Sequence, residues 1–242
     1  MHSLARDKRP IDLTKLGVSA LAGDIVVFSY GEIDVRCHLG RIRDSHLKKI
    51  DSKKNKSEPC DGAEAGIKIS KQLVDELVKD YVAKLLQMTK AAFEKELQAL
   101  RKKLGLKSDR AHEAWPGSVL EGEHVLRSVY GVGQGLKLVI MPAPPPSDRK
   151  PNPAAPFYGE LKDRAWLTQL LNEALELACS KYEVIFLKGA YDAFTLLQDG
   201  SKTLNHEFSD GHVHVLSKHA RIIQALLVRK LTATSRNTVI EK

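Results

Sequence analysis

The sequence predicts an α/β fold, a mostly parallel and doubly wound sheet with helices on both faces, interrupted by a long-helix insertion. Two observations lead there. Short apolar runs at 25–30 (IVVFSY), 136–141 (LKLVIM) and 183–189 (EVIFLKG) have the length and composition of buried strands. Between them lie long stretches of helical periodicity, and the order strand, helix, strand, helix, strand, short helix, polar segment, helix is that of strands joined by crossovers. With 242 residues and 43% hydrophobic content, the chain can bury one sizeable core. We read 1–242 as a single domain with 52–130 inserted within it.

In chain order, IDLTKLGVSALA (11–22) has apolar residues at roughly helical intervals, and Gly23-Asp24 turns the chain into the first strand. That strand runs into GEIDVRCH (31–38), where Glu32, Asp34, Arg36 and His38 occupy every second position. On an extended backbone all four side chains share one face. The following RIRDSHLKKIDSKKNKSEPCDGAEAG is polar, and its second half reads as a loop.

From Ile67 to about Leu104 no Pro or Gly occurs, and Leu73, Leu77, Tyr81, Leu85, Met88, Phe93, Leu97 and Leu100 recur every three to five residues. This spacing predicts a long amphipathic helix, whose stripe either packs in the core or forms the seam of a homo-oligomer. Residues 105–135 are irregular. Gly131, Gly133 and Gly135 precede the next strand instead of following one, so the dinucleotide-binding fingerprint fails.

The strand at 136–141 enters PAPPPSDRKPNPAAPF, where seven of sixteen residues are proline, so the chain must continue as an extended loop. LKDRAWLTQLLNEALELACSK (161–181) predicts a second amphipathic helix. After the third strand come a short helical piece at YDAFTLLQ, the segment SKTLNHEFSDGHVHV, and a last helix from about Ser217 to Leu231.

Ligands of doubly wound sheets bind beyond the carboxyl ends of the strands. GEIDVRCH and SDGHVHV are the chemistry-rich segments there, and a single shared site is the economical expectation. In SDGHVHV, Asp210 stands four residues before His214, and His212 is two before it. A carboxylate beside an imidazole fixes its tautomer while the other ring nitrogen takes a proton from a nucleophile. The same His and carboxylate residues are metal-ligand types, but neither HExxH nor Cys-His spacing is present, so no metal and no cofactor are expected.

The formal charge of +8 favours an acidic partner, yet 30 acidic residues are interleaved with 38 basic ones, as on a solvated surface, and nucleic acid is not the expected partner. Cys37, Cys60 and Cys179 form no CxxC and are odd in number, which argues for a reducing compartment. No apolar run reaches the length of a membrane span, and MHSLARDKRPID has no signal-peptide core, so a cytoplasmic location is expected.

Together, FSYGEIDVRCHLGR and the later LNHEFSDGHVHV resemble a bacterial family related to the SGNH (GDSL-type) hydrolases. In that family a strand leads to GEIDxRxH, and the chain closes with SDGxxHx before a last helix. MHSLARD and VIMPAPPP fit the same pattern. The resemblance implies a flavodoxin-like three-layer α/β/α sandwich and, in active members, hydrolysis of esters on carbohydrate or lipid. It carries the catalytic Asp and His over to Asp210 and His214, with Glu32, Asp34, Arg36, His38 and His212 lining the pocket of a small-molecule or glycan ester. Two departures weaken the chemistry. The family's GxND block at Gly31 has Ile33 in place of its oxyanion-binding Asn, a loss of about 3 kcal/mol in a comparable setting. There is also no GDS motif: MHSLARD begins just downstream of where that block belongs, so either the sequence is truncated or the chemistry has been lost. Ser3 and Ser29 are hydroxyls without an elbow-like context. A weak or inactive esterase or deacetylase is therefore expected. The alternative is a non-catalytic binding or assembly module using the 67–104 helix and the basic segment at 41–56.

Overall fold

Ile25–Ser29 forms β1, Lys137–Met141 forms β2 and Ile185–Phe186 forms β3; they make one parallel sheet in the order β1-β2-β3. The computed structural model describes residues 12–19, 21, 24–29, 34–53, 62–103, 137–148, 157–182, 184–198, 201–209 and 220–240. Around the sheet the chain is mostly helical: α1 (Gly40–Lys53), α2 (Gly62–Lys103), α3 (Leu161–Lys181), the short α4 (Gly189–Ala193) and α5 (Ala220–Ile240). Thr195–Gln198 (β4) and Ser201–Leu204 (β5) add a separate antiparallel hairpin. No described helix is long and apolar enough to cross a membrane.

The chain divides into two compact units. One comprises residues 1–2, 29–80 and 140–242, the other 3–28 and 81–139. In the second unit the N-terminal segment is narrower in structure than its periodicity predicts. Only Leu13–Leu16 forms a 3-10 turn, because Gly17 takes a left-handed φ of 76° and ends it. Asp12 caps the turn by accepting from the Thr14 amide and hydroxyl, and Lys95 on α2 donates to the same carboxylate at 2.7 Å. The Lys95 contact, more than any other, holds the Asp12 carboxyl down at about 2. The adjacent Glu96 accepts from the Ser19 hydroxyl and the Leu21 amide, so one turn of helix fastens ten residues of chain.

α2 is a single helix of 42 residues, beginning five residues earlier than the sequence predicts. Its buried stripe is Val74, Val78, Tyr81, Val82, Leu85, Met88 and Ala92, with Leu73 and Leu77 only half-buried. The phase of the first turns is thus one residue off the expected one. This stripe is covered within the chain itself, so a seam between copies would have to use other residues of the helix. Ser70 lies on the buried face with its hydroxyl lacking a hydrogen-bond partner among the described residues. Removing a buried hydroxyl that makes no bond relieves its desolvation cost. Ser70→Ala is expected to raise stability by about 1 kcal/mol, read as an upward shift of the urea midpoint.

The first unit is organised on α3. Leu167, Leu171, Leu175 and Cys179 recur at every fourth position and are each at most 1% exposed, a stripe of one helical face buried to completion. Burial pushes the Cys179 thiol up to about 12. Beyond α3, the Val184 amide returns to the Cys179 carbonyl, and β3 reaches β2 through Leu187, whose amide donates to Ile140 at 3.0 Å. The segment expected as helical at 191–198 is half strand: Thr195–Gln198 pairs with Ser201–Leu204, with Thr195 opposite Leu204. The last helix starts at Ala220 and extends to Ile240, well past the predicted end.

Candidate functional site

Two segments leave the carboxyl ends of neighbouring strands, residues 34–39 after β1 and 142–148 after β2, and both settle on α3. The first does not have the extended backbone that its alternating charges predict. Asp34–Leu39 forms a π turn that leads directly into α1. Asp34, Val35 and Leu39 are buried (Asp34 is 3% exposed), and His38 is half-buried. Val35 and Leu39, four apart, are the apolar pair that turns this segment inward and packs it on α3. The extended backbone that would align every second residue of this segment is therefore corrected: the wider turn brings positions four to five apart together, among them Asp34 and His38.

Glu32, Asp210, His212 and His214, and the side chain of Arg36, lie outside the described residues. Ser29 is exposed at the last position of β1.

Behind the π turn stands a network that sequence reasoning missed. Arg43 on α1 donates through both terminal nitrogens to the two oxygens of Asp163 in the first turn of α3, at 2.5 and 2.9 Å. Its Nε donates to Asp44 at 2.8 Å, and Asp44 accepts a further bond from the Tyr158 hydroxyl at 2.9 Å. The bidentate fork is the strong form of such a pair, and Arg43 is only 15% exposed. Asp163 raises the Arg43 guanidinium well above its ordinary range. At Asp44 burial pushes the carboxyl up, but the bonds from Arg43 and Tyr158 prevail and hold it below its usual value; the Asp44 contact in turn pushes Tyr158 up. Two glycines make room. A Cβ at Gly40 would stand 3.2 Å from the Tyr158 ring, and one at Gly159, whose φ is +83°, would stand 3.1 Å from Asp163 Oδ2. Arg43 and Asp163 are 120 positions apart, and no local pattern links them. The glycines beside Leu39 and Tyr158 are the one sequence signal of this close approach.

The proline-rich exit from β2 is pinned to α3 at two places. Asn172 accepts from the Ala143 amide at 2.7 Å and donates to its carbonyl at 3.0 Å, while the buried Arg164 donates to the Ser147 carbonyl and lies 4.3 Å over the Phe157 ring. Asp148 on this segment makes an Asp–His contact: His206 Nε2 lies 2.9 Å from Asp148 Oδ1. His206 sits in a 3-10 turn capped by Asn205, which accepts from the Glu207 amide, and the Leu204 amide donates to Pro146 on the same loop. This pair was not expected from the sequence, since 58 residues separate its members. The His206 side chain is half-exposed and that of Asp148 is more enclosed.

No family model, no curated protein and no solved structure matches this chain. The likeness to SGNH hydrolases thus rests on the two quoted motifs. Among the described residues, no three His, Cys, Asp or Glu side chains are grouped so as to hold a metal ion.

Proposed function

We propose that the chain is an SGNH-type ester hydrolase in architecture, a three-layer α/β/α sandwich, with weak or absent turnover in the sequence as given. His214 would be the general base and Asp210 its orienter, with Glu32, Asp34, Arg36, His38 and His212 facing an acylated carbohydrate or similar ester. The observation that carries this reading is the convergence on α3 of the segments following β1 and β2, since the carboxyl edge of a parallel sheet is where such folds bind ligands. A buried Asp34 and a π turn at that edge support it, because such turns are frequent at functional sites. Against efficient catalysis stands Ile33 at the oxyanion position, where an apolar side chain donates nothing to the developing charge.

The test is hydrolysis of p-nitrophenyl acetate and longer acyl esters. Turnover is expected to stay within about tenfold of buffer, a difference of about 1.4 kcal/mol in barrier. Robust turnover abolished by His214→Ala would overturn the weak-enzyme reading and establish the site. Robust turnover untouched by His214→Ala and Asp210→Asn would remove the site assignment altogether.

A further inference from the structure

Between α1, the first turns of α2 and the start of α3, all within the first unit, lies a cavity of about 420 Å³. That volume is in the range of small-ligand pockets. Its lining combines an aromatic and aliphatic part, Trp166, Leu47 and Ile67, with the polar trio Arg43, Asp44 and Asp163. Ile67 is 46% exposed. None of these is a residue that the SGNH resemblance assigns.

Two features mark this space as kept open. Gly66 lines it from inside α2, where glycine weakens a helix, and Gly62 lines it from the helix's first position. Neither is demanded by packing: a Cβ at Gly62 would meet nothing within 4 Å, and one at Gly66 would make only ordinary contacts, 3.7 Å to Leu47 and 3.9 Å to Arg43. A larger residue at position 66 would extend toward Leu47 and Arg43, which line the cavity. The second feature is hydrogen-bonding capacity. Among the described residues, Arg43 commits three of its five N–H groups, and each oxygen of Asp44 and Asp163 accepts one bond where it can accept two.

The charges limit what fits. Arg43 repels a cation, the two carboxylates repel an anion, and Lys48 adds a further positive charge near Asp44. A neutral ligand with both donors and acceptors, and with an apolar face for Trp166, matches all of these groups. We propose that the cavity binds the ring of a neutral saccharide, with its C–H face on Trp166 and its hydroxyls on the two carboxylates and the remaining Arg43 N–H groups. Binding of an unacylated sugar needs no nucleophile, so this site stands or falls independently of ester hydrolysis.

The chain has two tryptophans, so Trp115→Phe leaves Trp166 as the sole indole reporter. Its fluorescence is followed while D-glucose, D-galactose, D-mannose, N-acetyl-D-glucosamine and cellobiose are titrated into the millimolar range, with saturation-transfer NMR on the unmodified chain as the parallel measurement. A saturable change with at least one sugar is expected, weakened at least about tenfold by Gly66→Leu, which fills the cavity, and by Asp44→Asn. The urea midpoint of each variant verifies that it is folded. Absence of saturation for every sugar by both methods would overturn the proposal. So would sugar binding unchanged in both folded variants, or saturation by indole alone, which would make the cavity a purely apolar one.

Discussion

Asp163→Ala is expected to destabilise the protein by about 2–3 kcal/mol, measured as a fall in the urea midpoint at unchanged slope. Removing this carboxylate strands Arg43, whose side chain is 15% exposed and has two of its three bonds directed at Asp163. The cost is larger than for a surface ion pair because the surviving charge stays partly desolvated. Taking away both partners is therefore expected to cost less than the sum of the single losses: the Arg43→Met, Asp163→Ala double variant, set against its two single variants, should show a coupling of at least about 1 kcal/mol. A loss below about 0.5 kcal/mol for Asp163→Ala would place the pair among solvated surface contacts and remove its role in holding α1 to α3.

Leu171→Ala is expected to cost about 3 kcal/mol, within the range of about 2–5 for emptying a leucine site in a packed core. Leu171 is 0% exposed and lies midway along the buried stripe of α3, between Leu167 and Leu175. Its neighbours on that face are rigidly spaced by the helix, so the vacated volume cannot be refilled by a small shift. Leu177 on the same helix is 75% exposed and supplies the control, with Leu177→Ala expected to stay within about 0.5 kcal/mol. Equal losses at the two positions would mean that α3 is not the organising element of its unit.

How far the sequence revealed this architecture depended on the range of the interactions concerned. α3 was legible to the residue, because its apolar repeat acts within a few positions. The body of α2 was equally plain, since some forty residues without an internal helix breaker leave little else to form. The π turn at 34–39 was not, because alternating charges dominated the pattern while the decisive signal was the apolar pair Val35 and Leu39. At 191–200 the pair Asp199-Gly200, a strong hairpin signal, was outweighed by apparent helical spacing in the preceding residues. The Arg43, Asp44, Tyr158 and Asp163 network left almost no trace, since its members meet only once the helices have packed. Of the site predicted at the strand ends, Asp34 proved to be buried and His38 half-buried, and the Asp148–His206 contact arose where no motif pointed.

The paired bonds of Asn172 with Ala143 have a mechanical corollary. An amide side chain there does what a neighbouring strand would do, engaging both polar groups of one peptide position. Arg164, two turns away, grips Ser147 in the same loop. The anchors are separated by eight helical positions, or about 12 Å along the axis. Two such anchors fix the direction as well as the position of residues 143–147 against α3.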